Sequence, residues 1–185
     1  MNKKLYLSII ILFFSFLNVA NAQVNLPKTK QNIEQNIIVY LTGYSFWDNT
    51  PLNSAIISHP VIHKIAGGIG SYNDPITLAV GHSIINGEDI LDFSAGTRFY
   101  IPALKKYAIV EDSCGDGDRP QDIACHVGYH GKPWLDIYVD GKGLAKSVSD
   151  KCSENLTDLQ MVVMTPKPNY LVVLGSLSEA GCEIF

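Results

Sequence analysis

Two short segments decide the fold of this chain: residues 107–115 read YAIVEDSCG, and residues 134–139 read WLDIYV. Both are rich in β-branched and aromatic residues and alternate in polarity, a pattern typical of β-strands. Because side chains alternate along a strand, Val110 and Asp112 are expected to share a face. Asp136 is expected to point away from the apolar residues on either side of it. Two such strands can therefore direct two carboxylates into one groove.

Further strand-like segments follow one another at short spacing and are separated by turns rich in glycine, proline and asparagine. They are residues 37–42, 76–80, 98–101, 161–164 and 170–174. Only residues 143–159 could hold a helix of useful length, and the type of residues 56–65 stays open because Pro60 interrupts them. Many short strands with such turns predict an all-β barrel or sandwich. We expect one domain over residues 37–185, preceded by a leader over residues 23–36.

The first 22 residues have the layout of a secretory signal peptide. Lys3 and Lys4 form a basic start, residues 5–19 are apolar, and Ala20-Asn21-Ala22 offers small residues before a cleavage point at Gln23. The apolar stretch is shorter than the ~20 residues of a membrane-spanning helix, which argues against the alternative of a membrane anchor. We expect a secreted or periplasmic protein without stable membrane insertion after cleavage.

The composition of the 185-residue chain is that of a globular protein, with 46% apolar and 17% charged residues. The formal net charge is −4. Without residues 1–22, 12 basic residues remain against 18 acidic ones, a net charge of −6. An acidic chain lacks the basic surface of nucleic-acid-binding proteins. We expect no nucleic-acid partner, and we expect a monomer.

The four cysteines all lie after the predicted signal peptide, as expected for disulfides in an oxidising compartment. Four cysteines allow three pairings. Of these we favour the nearest-neighbour pairing, Cys114 with Cys125 and Cys152 with Cys182. Their spacing contains no C-x-x-C motif, so a structural zinc site has no support.

Asp112 and Asp136 are the strongest candidates for chemistry. Two carboxylates in a cleft can divide acid and base work on a glycosidic bond if one of them holds a proton near neutral pH. The alternative is that both side chains cap strand ends or accept hydrogen bonds from loop amides.

Two other polar patterns suggest metal sites only weakly. Residues 112–122 carry four acids, which calcium favours, but their spacing does not match an EF-hand, and a solvated loop is the alternative. The histidine pairs His59/His63 and His126/His130 have the spacing of helix neighbours, but Pro60 and Gly128 interrupt them. We predict no metal site and no cofactor.

Several aromatic residues fall in loops or at strand ends next to glycine and aspartate. Exposed rings stack on sugar faces, whereas buried rings fill the core. As a set beside an acidic groove they favour a glycan. They are Tyr44, Phe46, Trp47, Tyr72, Tyr129 and Trp134.

The order of three motifs resembles that of double-psi β-barrel domains. Residues 96–102 (GTRFYIP), 107–115 and 134–139 are similar to the pattern G-T-x-x-x-I-P, x-V-x-D-x-x-G, x-D-[IVL]-[YWF] of that superfamily. Its members include the three-aspartate domain of cell-wall proteins, membrane-bound lytic transglycosylases, the rare lipoprotein A barrel, expansins and family-45 endoglucanases. The resemblance implies a mainly β fold: a six-stranded double-psi β-barrel with short helices and long, disulfide-stabilised loops.

The resemblance also implies roles for individual residues. Asp136 matches the general acid/base of the transglycosylase and three-aspartate pattern, Asp112 matches the supporting aspartate, and Asp48 is a looser match to an N-terminal polar position. The link of 23 residues between Asp112 and Asp136 is longer than the short glycine-rich link of that pattern. The candidate substrate-binding residues are Asp48, Tyr44, Trp47, Tyr138 and Trp134.

Three functions remain open at this point. The first is cleavage of a polysaccharide, peptidoglycan or a cellulose-like glycan, by a glycoside hydrolase or lytic transglycosylase that uses Asp136 as general acid/base. The second is a non-catalytic module that binds carbohydrate or loosens cell walls with the same groove. The third is a secreted effector or inhibitor whose acidic loop meets a protein partner.

Overall fold

A computed structural model of the protein describes residues 33–185. Seven strands, two α-helices and two single-turn 3-10 helices lie along this part of the chain. The strands are β1 (Gln35–Tyr44), β2 (Ile76–Ile85), β3 (Glu88–Leu91), β4 (Arg98–Ile101), β5 (Lys106–Cys114), β6 (Trp134–Tyr138) and β7 (Asp158–Met164). The helices are α1 (Ala124–Val127) and α2 (Lys146–Leu156), and the 3-10 turns are Pro102–Leu104 and Pro120–Asp122. Within residues 33–185, no helix has both the length and the apolar character needed to cross a membrane.

Six of the seven strands close into a barrel. Their order is β2-β5-β4-β7-β1-β6, and β6 pairs back onto β2, while β3 extends the sheet from β2 alone. The pairs β1–β6 and β2–β5 are parallel, and the other pairs are antiparallel. The prediction of a mainly β, six-stranded barrel with short helices and disulfide-held loops is confirmed.

Alternation along the strands fills the barrel with apolar side chains. Leu41 of β1, Leu78 of β2, Val110 of β5 and Leu135 and Ile137 of β6 are each at most 1% exposed. Burying one such side chain stabilises the fold by roughly 1.5–3 kcal/mol. The residues between them on the same strands point outward, and these build the candidate site.

The disulfides follow the nearest-neighbour pairing favoured by the sequence. Cys114, at the end of β5, is bonded to Cys125 in α1, and Cys152 in α2 is bonded to Cys182 in the C-terminal tail. The two disulfides close loops with sequence separations of 11 and 30 residues. Each such crosslink stabilises a fold by about 3 kcal/mol if it acts by lowering the entropy of the unfolded chain. The first disulfide fixes the loop that borders the candidate site, and the second fastens the tail to the helix.

One predicted strand is absent from the described structure. Residues 170–174 were expected to form a strand because they are apolar and β-branched, but they adopt no regular structure. The barrel already pairs β4 with both β5 and β7, so this segment has no strand edge to join there. It is instead held by the buried Lys106, whose Nζ donates to the carbonyls of Val173 and Gly175 at 2.6 and 2.7 Å.

The other differences are small. The sequence did not predict β3, because two of its four residues are acidic and acidic residues are not typical of strands. The Asn86-Gly87 turn joins β3 to β2. The predicted helix is confirmed as α2, inside the range proposed for it, and residues 56–65 form a loop. The predicted signal peptide, residues 1–22, lies outside the described residues, as does most of the predicted leader, of which β1 takes the last two residues.

Candidate functional site

The centre of the site is Ala79 of β2, a buried residue that is 3% exposed. Ala79 is in register with Asp112 of β5 on one side and with Asp136 of β6 on the other. Residues paired across strands point to the same face of a sheet, so both carboxylates rise on the same side of Ala79. Neighbouring strands lie about 4.8 Å apart, which places the two aspartate Cα atoms about 10 Å from each other.

A β-bulge brings Asp112 to this face. The register of β2 and β5 shifts between Leu78, which pairs with Val110, and Ala79, which pairs with Asp112. Glu111 is therefore the extra residue of the bulge, and it turns the following side chain to the opposite face. The prediction that Val110 and Asp112 share a face is wrong for this reason: Val110 points into the barrel and Asp112 points outward.

Asp136 is held by a chain of two hydrogen bonds. The indole Nε1 of Trp134 donates to the hydroxyl of Thr42 at 2.7 Å, and this hydroxyl donates to Oδ1 of Asp136 at 2.6 Å. The indole N–H can only donate, so the single hydroxyl proton of Thr42 must point at Asp136. Oδ1 is thereby fixed as an acceptor. Oδ2 receives no N–H or O–H donor from the described residues and lies 4.0 Å from the Sγ atom of Cys114.

The surroundings of Asp136 favour its protonated form. Burial raises the pKa of Asp136 to about 7; the Thr42 hydrogen bond opposes this shift, and the negative charges of Asp48 and Asp112 add to it. A carboxyl group that keeps its proton near neutral pH is suited to act as an acid. Because Oδ1 is an acceptor, the proton belongs on Oδ2.

Asp112, in contrast, has both oxygens occupied by donors. Oδ1 accepts the backbone N–H groups of Ser58 and Ser113 at 3.0 and 2.9 Å and the Ser58 hydroxyl at 3.0 Å. Oδ2 accepts the Tyr44 hydroxyl at 2.9 Å. Burial raises the pKa of Tyr44, and the neighbouring Asp112 raises it further. The phenol therefore keeps its proton and remains a donor. Asp112 therefore acts as an anchor that joins β5 to the Ser58 loop.

The same loop is anchored a second time, by the bulge residue. Glu111 is fully buried, and its Oε1 accepts the backbone N–H groups of residues 61–63 at 2.7–3.2 Å. Its Oε2 lies 2.6 Å from Nδ1 of His63. Burial would raise the pKa of Glu111, but these hydrogen bonds outweigh it and lower the pKa. Two successive carboxylates at the bulge, Glu111 and Asp112, thus hold residues 58–63 against the barrel.

A cavity of about 320 Å³ opens over the two aspartates. Four carboxylates line it, those of Asp48, Asp112, Asp116 and Asp136, together with the apolar side chains of the Ile56-Ile57 segment. The described residues that line it include no lysine, arginine or histidine. The cavity is therefore acidic and partly apolar, and it presents one carboxyl group with a raised pKa.

The structure brings together only some of the residues proposed from sequence. Asp112, Asp136, Tyr44 and Asp48 all line the cavity. Asp48 is fixed by Ser45, whose N–H and hydroxyl both donate to its Oδ1 at 2.7 Å.

The other three proposed substrate-binding residues do not line the cavity. Trp134 reaches Asp136 only through Thr42. Tyr138 is buried against Tyr44, and Trp47 donates its indole N–H to the carbonyl of Gly141 at 3.0 Å.

Sequence reasoning missed two residues that matter at the site, Thr42 and Ser58. Thr42 is paired with Asp136 in the parallel β1–β6 register, and Ser58 reaches Asp112 from the following loop. A polar residue inside the apolar run of β1 was the only available signal for Thr42.

Carboxylates pair with most of the histidines. His63 lies between Glu111 and Asp74, His82 is 2.6 Å from Asp89, and His126 is 2.6 Å from Asp92. Within residues 33–185, no group of three or more histidine, cysteine, aspartate or glutamate side chains is arranged to hold a metal ion.

Comparison with known proteins places the chain in a family. A region of 140 residues is 32% identical to the uncharacterized protein DDB_G0273701/DDB_G0273221 of Dictyostelium discoideum, covering 75% of this chain and 55% of that protein. The chain thus spans about half the length of the relative that it matches. No solved structure gives a significant match. The profile of the family described as DDB_G0273701 N-terminal domain matches residues 36–183, and the chain therefore belongs to this family.

Proposed function

We propose that the chain is a secreted double-psi β-barrel protein that cleaves a polysaccharide, with Asp136 as general acid and base. One observation carries the proposal: a carboxyl group with a pKa of about 7 lines an open cavity, and one of its oxygens receives no hydrogen-bond donor from the described residues. The two parallel strand pairs within a six-stranded barrel support the double-psi topology. Two disulfides are compatible with a secreted protein.

The proposed reaction needs one proton and one carboxylate. Oδ2 of Asp136 gives its proton to the glycosidic oxygen while the bond from that oxygen to the anomeric carbon breaks. The sugar left behind carries positive charge, which the acidic cavity stabilises. The Asp136 carboxylate then takes a proton from the hydroxyl group that attacks the anomeric carbon, which returns the acid to its starting form. This hydroxyl belongs to water in a hydrolase and to the sugar itself in a lytic transglycosylase.

In the proposed reaction, Asp112 acts through its position and its charge. Its oxygens already accept four hydrogen bonds, so it is poorly placed to exchange a proton with a substrate. Its negative charge adds to that of Asp48 in raising the pKa of Asp136. Asp48 is exposed, and Oδ1 alone receives its two hydrogen bonds from described residues. Of the two, Asp48 is therefore the better partner for the positive charge on the sugar.

The four hydrogen bonds that Asp112 accepts also favour a second candidate, a module that binds glycan without cleaving it. Only one of the two central carboxyl groups is then available to a ligand, and an acidic, partly apolar cavity can bind sugar hydroxyl groups as a set of acceptors. The same residues would line the binding site in either case.

Purified protein incubated with insoluble peptidoglycan and, separately, with cellulose distinguishes the candidates. The readouts are soluble reducing fragments for cleavage and co-sedimentation for binding. We expect the unmodified protein to release fragments, Asp136→Asn to release none while still co-sedimenting, and Asp118→Asn, which changes an exposed loop acid, to behave like the unmodified protein. Co-sedimentation without release by any of the three would favour the binding module, and the absence of both would overturn the glycan proposal.

A further inference from the structure

A second cavity lies at the start of β4, next to the segment that follows β7. Its volume is about 550 Å³, and it shares no lining residue with the first cavity. Its walls are Tyr72, the segment 95–98 and the segment 165–168 that follows β7. Two basic side chains, Arg98 and Lys167, are part of this lining, in contrast to the four carboxylates of the first cavity.

Among residues 33–185, no side chain or carbonyl forms a hydrogen bond or ion pair with the guanidinium group of Arg98. Its guanidinium group lies over the ring of Tyr72, with 4.8 Å from Cζ to the ring centroid. The Nε atom is buried, and it has no hydrogen-bond partner among the described residues. A guanidinium group offers five N–H donors, and a buried donor left unpaired costs about 1–3 kcal/mol. Arg98 lines the cavity, so an acceptor bound there can meet the N–H donors of its guanidinium group that are not buried.

The other basic residues closest to this comparison, Arg119 and Lys167, each have an acidic partner, whereas Arg98 has none among the described residues. The two arginines are Arg98 and Arg119, and Arg119 is paired with Asp122 on the surface. Lys167, at the rim of the cavity, already has Glu34 as a partner at 3.1 Å. Residues 1–32, outside the described part, contain no aspartate or glutamate, so their side chains cannot supply an acidic partner for Arg98.

We infer that this second cavity binds the oxyanion head, a carboxylate or a phosphate, of a small organic ligand through Arg98. The planar guanidinium fork matches the two oxygens of such a group, and its Nη end, unlike the buried Nε, is the part that a ligand in the cavity can reach. The ring of Tyr72 and the side chains of Pro166 and Pro168 supply apolar surface for the rest of the ligand. This inference does not depend on the glycan proposal, because it uses a different cavity.

Nitrogen-15 NMR of the arginine Nε–H groups tests the inference directly. The chain has two arginines, so two resonances are expected, and Arg119→Gln identifies the Arg98 resonance by removing the other. Glucuronate, inorganic phosphate and neutral glucose are each titrated at constant ionic strength. We expect glucuronate or phosphate to shift the Arg98 resonance in a saturable manner, glucose to leave it unchanged, and the Arg119 resonance to stay fixed.

Calorimetry with matched variants supplies the second measurement. Arg98→Gln is expected to lower the affinity for the active anion by about tenfold or more, the loss expected for one charge-assisted pair. Arg119→Gln removes the same charge elsewhere and should bind like the unmodified protein. If Arg98→Gln does not fold, as judged by its melting curve, the NMR titration of the unmodified protein decides.

The anion that shifts the Arg98 resonance assigns the class of ligand. A shift with glucuronate alone indicates a carboxylate ligand, a shift with phosphate alone indicates a phosphate ligand, and a shift with both indicates a site for oxyanions in general. Absence of a saturable shift with either anion would overturn the inference. So would an equal shift of the Arg119 resonance, or unchanged affinity in a folded Arg98→Gln protein.

Discussion

Replacing Asp136 with asparagine should stabilise the folded protein at alkaline pH, although it removes the proposed catalytic group. Asparagine has nearly the same shape, and its carbonyl oxygen can accept the Thr42 hydroxyl in place of Oδ1. The unmodified protein must hold a charged carboxylate in a desolvated position once the pH exceeds about 7. The variant has no such charge, so it escapes this cost.

The magnitude follows from the shift in pKa. Burial raises the pKa of Asp136 from its usual 3.8 to about 7, a difference of about 3 units, and each unit corresponds to 1.36 kcal/mol. The unfolded chain releases this proton near pH 4, whereas the folded chain keeps it to about pH 7. Between these values the unfolded state binds fewer protons, so stability falls as the pH rises. The full cost above pH 7 is about 4 kcal/mol at most, because the cavity is open to water.

Urea denaturation at pH 4, 5.5, 7 and 8.5 measures the effect. The free energy of unfolding of Asp136→Asn minus that of the unmodified protein should be small at pH 4 and grow by several kcal/mol by pH 8.5. Asp118→Asn removes one exposed charge and should show no such growth. A difference that stays constant with pH, or a variant that is less stable at pH 8.5, would refute the reasoning about the desolvated carboxyl group.

Three further predictions concern the groups around the site. Thr42→Val removes a hydrogen bond that favours the charged carboxylate, so the pKa of Asp136 should rise by roughly one to two units, measured by carbon-13 NMR of the carboxyl group; a lowered pKa contradicts the assignment of the hydrogen bond. Glu111→Gln breaks a buried contact with His63 and should cost about 3–5 kcal/mol of unfolding free energy, with faster amide exchange in residues 58–63; unchanged exchange contradicts its anchoring role. Burial opposes the charging of His63, but Asp74 and Glu111 outweigh this effect and raise the pKa of its imidazole. The stability that the charged imidazole supplies should therefore be lost as the pH rises through that pKa. By NMR the imidazole should titrate above 6.5, and a midpoint below 6.5 contradicts this prediction.

The sequence was sufficient to predict the outward direction of Asp136. The segment WLDIYV alternates without interruption, and regular alternation fixes which side chains face the core. The same argument failed for Asp112, because one extra residue at Glu111 reverses the face of everything after it. A bulge leaves no clear trace in the local pattern of apolar and polar residues, so its position could not be read from the segment YAIVEDSCG.

Contacts between distant parts of the chain were also beyond sequence reasoning. Thr42 is 94 residues from Asp136, and Ser58 is 54 residues from Asp112. Such partners depend on the parallel β1–β6 pairing and on the loop that Glu111 holds, and both are properties of the closed barrel. Local pattern can predict a strand and the face of its side chains, but the identity of the strand beside it is set by topology. The raised pKa of Asp136 follows from these contacts and from burial, so it too required the fold.

The most direct test of the account is a pH titration of the Asp136 carboxyl group by carbon-13 NMR, with the resonance identified by its loss in Asp136→Asn. We predict a midpoint at about 7, because burial and the charges of Asp48 and Asp112 keep the proton on this group at neutral pH. A midpoint at or below its usual value of 3.8 would contradict the account, since Asp136 would then carry no proton to give to a substrate.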